Sequence, residues 1–118
     1  METLYGIFSL PREPRTAWAP GQGRELEVPP GNKVLVTDVH IENLGGGSSV
    51  VELSEKRGPG AFEVRFAFTT DKNQKLIINY TTGLLLGDEQ PLYGAIKAEN
   101  HSQSSADVLV RINGRLLP

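Results

Sequence analysis

Apolar and polar residues alternate along much of this chain, with the period of two that is typical of half-buried β-strands. The clearest run is the segment 61–68, in which four apolar residues are each separated by a single residue: Phe62, Val64, Phe66 and Phe68. All but one of the four Phe residues of the chain lie in this segment. We therefore expect this strand to line the core.

Short alternating or apolar runs continue along the chain, bounded by Gly, Pro, Asn and Asp residues that form turns. They predict strands at 4–10, 24–28, 33–43, 50–53, 61–68, 75–80, 83–86, 92–99 and 106–112. No segment has a convincing helical period, and short strands at intervals of about ten residues are typical of a β-sandwich or barrel. The pattern therefore predicts one all-β domain over residues 1–118.

The segment 33–43 is the longest predicted strand. It begins apolar on both faces, at Val34 and Leu35, which suggests that a loop or another subunit covers its first half. The Gly-rich turn 45–48 could then return the chain as a hairpin into the strand 50–53. The residues expected to face the Phe-rich strand across the core are Leu35, Val39, Ile41, Val108, Val110 and Ile112.

Composition and charge exclude several classes of function. The 118 residues carry 12 basic and 14 acidic side chains, without a long block of one sign, so nucleic acid is not an expected partner. No apolar run is long enough to span a membrane, and the first residues lack the features of a signal peptide. The absence of Cys excludes disulfides and thiolate chemistry. We expect a chain made as a soluble cytoplasmic protein that does not bind membranes.

Candidate catalytic and metal-binding residues are few. His40 and His101 are the only imidazoles, and a zinc site would need further ligands that no short-range spacing supplies. No Ser occupies the Gly-x-Ser-x-Gly pattern of a nucleophile elbow, and Gly21-Gln22-Gly23 is only half of a dinucleotide-binding motif. Asp88 and Glu89 share a turn, where paired acids are usually solvated rather than bound to Ca²⁺. We predict that the protein is not an enzyme and holds no metal or cofactor.

Residues 11–23, called the arm below, stand apart from the strands. The arm contains three Pro and two Gly residues that prevent regular pairing, together with the only Trp of the chain. Trp and Arg are enriched at binding hot spots, and Pro lowers the entropy lost when an extended segment docks. One interpretation is a partner-binding arm that acts through Arg12, Arg15 and Trp18. The other is a long loop folded across its own domain, with Trp18 covering one end of the core.

Three segments resemble small jelly-roll modules found in bacteriophage virions: Glu27–Asn43 is similar to their opening strands, and Thr82–Leu92 and Val108–Gly114 are similar to later ones. The resemblance implies a jelly-roll-like antiparallel β-sandwich of about eight strands. It also implies a virion structural protein, either a capsid decoration (cement) protein or a fibre-type protein. Such modules are commonly trimers that bind a protein shell, so we expect a homotrimer located in the virion, with the arm reaching a neighbouring subunit.

A second class of function stays open, namely a carbohydrate-binding β-sandwich module. Exposed aromatic side chains can stack on the apolar face of a sugar ring. The candidate platforms are Trp18, Tyr80 and Tyr93. Because only 7% of the residues are aromatic, this glycan-binding alternative is less attractive than assembly.

Overall fold

The structure is a computed structural model that describes residues 6–29, 31–57, 60–86 and 94–118. These residues form eight strands and no helix: β1 (Phe8–Leu10), β2 (Gly23–Val28), β3 (Lys33–Asn43), β4 (Ser49–Arg57), β5 (Phe62–Thr70), β6 (Lys75–Leu86), β7 (Gly94–Asn100) and β8 (Val108–Leu117). The two predicted strands 75–80 and 83–86 are thus one strand, β6. Parts of the predicted strands 4–10 and 92–99, and the turn with Asp88 and Glu89, lie outside the described residues.

The strands form two four-stranded antiparallel sheets, each named below by its edge strands. The β1–β6 sheet has the order β1-β8-β3-β6, and the β2–β5 sheet has the order β2-β7-β4-β5. The first four strands therefore pair with the last four in reverse, β1 with β8, β2 with β7, β3 with β6 and β4 with β5. This is the strand order of a jelly roll. The predicted all-β antiparallel sandwich of about eight strands is confirmed.

The core between the sheets contains most of the predicted residues of β3 and β8. Val39, Ile41, Val108 and Ile112 are completely buried, and Val110 is nearly so. The prediction for Leu35 is wrong, because the pairing register of β3 shifts between Val36 and Asp38. Such a bulge adds one residue and exchanges the two faces of the strand. Val34 and Val36 consequently point inward, and Leu35 lies partly exposed on the outer face.

The Phe-rich strand β5 contributes only two of its four alternating apolar residues to the core. It is an edge strand, and its pairing with β4 shifts register between Leu53 and Ser54. Phe68 is buried and stacks on Phe66, with the ring centroids 6.5 Å apart. Val64 is 53% exposed and Phe62 is partly exposed. The prediction that all four residues line the core is therefore wrong for Phe62 and Val64.

The predicted hairpin between β3 and β4 is also wrong, because these strands belong to different sheets. Gly45, Gly46 and Gly47 carry the chain from one sheet to the other with positive φ angles of 113°, 90° and 124°. Such angles suit glycine, which has no Cβ. The buried Asn43 side chain holds this crossing, since it accepts from the Gly45 N–H at 2.9 Å and donates to the Gly47 carbonyl at 2.8 Å.

Candidate functional site

The arm is folded across its own domain, so the second of the two interpretations describes its conformation. Trp18 is only 1% exposed and belongs to the core. Its backbone forms an isolated bridge with Val108 at the start of β8, donating at 2.8 Å and accepting at 3.0 Å. In this conformation the indole is not available to a partner.

Asn100, at the end of β7, fastens the arm to the sandwich. Its side-chain amide donates to the carbonyls of Trp18 and Ala106, each at 2.9 Å. Its backbone N–H donates to Gln22 at 2.8 Å, and its backbone carbonyl accepts from the Gly21 N–H at 2.7 Å. Asn100 is completely buried. The hydrogen bonds of this one residue therefore fix the second half of the arm to the sandwich.

The structure separates the three predicted partner-binding residues. Arg12 and Arg15 are exposed, whereas Trp18 is in the core. Arg111 of β8 holds the backbone near Arg12, because its guanidinium donates to the carbonyl of Pro11 at 2.6 Å. A partner-binding role for Arg12 and Arg15 stays a prediction, and it concerns an exposed surface of the domain rather than a free arm.

A polar network on the outer face of the β1–β6 sheet contains a Ser, an Asp and a His. Ser9 donates to the Asn113 side chain at 2.7 Å, Asn113 donates to Asp38 Oδ2 at 2.7 Å, and His40 Nε2 lies 2.9 Å from the same oxygen. In a catalytic triad the Ser donates to the His instead. The geometry therefore ties the short strand β1 to β8 and β3, and it does not prepare Ser9 as a nucleophile.

The pKa of Asp38, at the centre of this network, is shifted by its surroundings. Burial, the largest single influence, raises the pKa of the carboxyl group. Hydrogen bonds from Asn113 and Thr37, together with the nearby His40, outweigh burial and hold the pKa below its ordinary value. The charged carboxylate is thus the form that the folded protein favours.

The outer face of the β2–β5 sheet carries side chains of both charges around a small pocket. The pocket has a volume of about 240 Å³ and is lined by Gly21, Gly23, Arg24, Glu25, Lys97 and Glu99. Arg24 is held in place by an ion pair with Glu13 of the arm, and that hydrogen bond holds the pKa of Glu13 below its ordinary value. Lys97 Nζ lies 3.2 Å from Glu99 Oε1. The arm therefore contributes Gly21 and Gly23 to the lining of this pocket, and its Glu13 positions Arg24.

Phe62 lies beside the pocket at the edge of the same face. The Lys97 ammonium is 4.5 Å from the centroid of its ring, and the Lys56 ammonium is 5.5 Å from it. Lys97 thus connects the aromatic ring to the pocket. The periodicity of β5 placed Phe62 in the core, and the bulge that turns it outward had no signal in the residue types.

His101 continues this face beyond the end of β7. Its Nε2 lies 3.4 Å from Glu52 Oε1 and 3.3 Å from Glu99 Oε2. These two carboxylates are directly opposite each other on β4 and β7. Within the described residues, no group of three or more His, Cys, Asp and Glu side chains could hold a metal ion.

The residues predicted to stack on sugars are not arranged for it. Trp18 is buried, and Tyr80 is partly buried and packs against the core, where burial raises its pKa. Tyr93 lies outside the described residues. Among the residues that the structure describes, Phe62 is an aromatic side chain on an outer face, and Lys97 connects it to the pocket.

Two open sheet edges share one side of the sandwich. β5 and β6 are the edge strands there, with 9 and 12 residues, and the turn 71–74 joins them. Each exposes branched aliphatic side chains: Val64 is 53% exposed, Ile77 is 53% exposed and Leu85 is 41% exposed. Long edges with exposed apolar residues are sites at which another chain can add to a sheet.

Comparison with known proteins identifies no family. No protein-family model matches the chain, and the search of curated proteins found no match. A crystal structure of PirA is similar, with a TM-score of 0.46 and 17% sequence identity over 98% of this chain and 97% of that chain. With so low a TM-score, this similarity carries no argument about function. In the described residues there is also no helix long and apolar enough to cross a membrane.

Proposed function

We propose that the protein is a virion structural protein, a capsid decoration (cement) or fibre-type protein, that forms a homotrimer and binds the protein shell of a particle. The observation that carries the proposal is the open side of the jelly roll, where the edges β5 and β6 expose Val64, Ile77 and Leu85. Natural β-sandwiches usually shorten, charge or cover their edges to prevent association. An open side with apolar residues supports association between copies of the chain.

The other side of the sandwich supports the proposal by contrast. There the edge strands are β1, with only three residues, and β2, and the arm connects them. The arm keeps Arg12 and Arg15 exposed on a segment that is fixed at Trp18. We assign subunit association to the open side and contact with the shell to Arg12 and Arg15, because Arg is common in binding hot spots.

The oligomeric state tests this proposal most directly. Size-exclusion chromatography with light scattering should give three times the chain mass of 12.9 kDa. Ile77→Lys places a charge in the apolar part of the open side and should shift the protein to a monomer. Gln103→Lys adds the same charge in the exposed β7–β8 loop and should leave the trimer intact.

A wild-type protein that stays monomeric at concentrations up to about 100 μM, well above the Kd of a stable oligomer, would overturn the proposal. Equal masses for Ile77→Lys and the wild type would show that the open side is not the interface. Circular dichroism of each variant, which should keep its β-sheet signal, separates dissociation from unfolding.

A further inference from the structure

We infer that the outer face of the β2–β5 sheet is a binding site for a neutral sugar, formed by Phe62, Lys97 and the pocket between β2 and β7. This ligand site does not depend on the assembly proposed above. Its pocket lies between β2 and β7, away from the assembly residues Ile77 and Leu85 of the opposite sheet, and only Phe62 shares the edge strand β5 with Val64.

The charges around the pocket favour a neutral ligand. The two cations among its lining residues are already paired, Arg24 with Glu13 and Lys97 with Glu99, so an anion would have to displace a carboxylate. On the outer face, Lys97 offers N–H donors and Glu25 and Glu99 offer carboxylate acceptors within one small space. A ligand with many hydroxyl groups, each of which both donates and accepts, can use both kinds of partner.

The apolar part of the site is Phe62. An aromatic ring presents a flat face that matches the C–H groups on one side of a pyranose ring. Lys97 occupies a position over this ring, 4.5 Å from its centroid. Its ammonium group is a compact charge on a flexible stem, so it can turn from the ring to a sugar hydroxyl while its methylene groups stay beside Phe62.

The size of the pocket limits the ligand. Its volume of about 240 Å³ is below the roughly 300–1,000 Å³ of pockets for drug-sized molecules. Gly23 lines the pocket without a side chain, and the Ala98 carbonyl oxygen leaves no room for a Cβ there. One sugar ring fits such a space, with a second ring extending across the sheet toward Phe62 on β5.

The protein contains its own reporter for this site. Arg24 lines the pocket, and its guanidinium carbon lies 5.8 Å from the centroid of the Trp18 ring. Trp18 is the only Trp of the chain. A ligand that engages Arg24 should therefore change the tryptophan fluorescence, although the indole itself is buried.

The test is a glycan array of neutral and acidic saccharides, followed by fluorescence titration with the methyl glycoside of the strongest neutral binder. We expect saturable binding to at least one neutral saccharide. Phe62→Ala removes the stacking face and should weaken binding about tenfold, the equivalent of one aromatic contact. Lys97→Met keeps the stem, removes the donor and should weaken binding as well.

The controls separate this site from the assembly surface. Ile77→Lys should bind the methyl glycoside as tightly as the wild type even where it is monomeric, and Lys97→Met, on the inner strand β7, should keep the wild-type mass in light scattering. Binding of acidic saccharides alone would overturn the neutral-sugar inference. So would an array without binders, or an affinity that neither Phe62→Ala nor Lys97→Met reduces.

Discussion

The two sides of this sandwich differ in how their sheet edges end. On one side, the arm joins β1 to β2 and closes over the core through Trp18, Asn100 and Arg111. On the other side, β5 and β6 end in edges with exposed aliphatic side chains. The chain thus uses a long irregular segment to close one side, and joins the strands of the other side by a turn of four residues.

We therefore expect the closed side to contribute mainly to the stability of the domain, and the open side to contribute mainly to association. On the closed side, Trp18 and Asn100 are buried, so their substitution should change the free energy of unfolding. Side chains such as Val64 and Ile77 on the open side remove little apolar surface from water within one chain. Their substitution should change association instead.

The largest expected effect comes from Trp18→Ala. Truncating a buried Trp leaves a cavity and loses the transfer free energy of the ring, which costs about 3–5 kcal/mol. Urea denaturation followed by circular dichroism measures this loss. It would be a large part of the total stability of a domain of this size.

Two exposed residues provide the controls for Trp18→Ala. Arg15→Ala, on the exposed part of the arm, should change the free energy of unfolding by less than about 0.5 kcal/mol. Val64→Ala, measured at a dilution where the chain is monomeric, should do the same. If Trp18→Ala were as mild as these two substitutions, the arm would not close its side of the sandwich.

A smaller effect is expected from Asn100→Ala. The substitution removes the side-chain donor of the buried Ala106 carbonyl and one of the two donors of the Trp18 carbonyl, and an unsatisfied buried group costs about 1–3 kcal/mol. Asn79→Ala, at an exposed position of the open edge β6, is the matched control and should be nearly neutral. Amide hydrogen exchange should also speed up at Trp18 in Asn100→Ala, because its N–H bonds to Val108 only while the arm is closed.

Much of the fold follows from the period of two, since strands, turns and the buried residues of β8 were all predicted from it. The errors about which residues face the core come from the bulges in β3 and between β4 and β5. One additional residue reverses the faces of a strand, and neither Thr37 nor Arg65 is a residue type that marks a bulge. Leu35 and Phe62 were therefore assigned to the core and lie on outer faces.

The site was harder to predict because it depends on contacts between distant residues. The prolines around Trp18 suggest an exposed arm, but Asn100 lies 82 residues further along the chain and holds the Trp18 backbone. The pocket likewise combines the arm, β2 and β7. The sequence alone allowed both a free and a folded arm. The fold decides between them, because it brings Val108 and Asn100 next to Trp18.

The smallest expected effect concerns the pH dependence of the closed side. Asp38 bonds to Asn113, which also accepts from Ser9 and so ties β1 to the sheet. Because the pKa of Asp38 is lowered in the folded state, its stabilisation is present above the unfolded value of about 4 and is lost as the pH falls toward the folded pKa. Below about pH 4, the free energy of unfolding should fall more steeply with falling pH in the wild type than in Asp38→Asn. The two slopes can differ by at most the uptake of one proton, which is about 1.4 kcal/mol per pH unit. Urea denaturation across this range measures the slopes. Equal slopes for Asp38→Asn and the wild type would mean that hydrogen bonds to a charged carboxylate do not help to hold β1 in place.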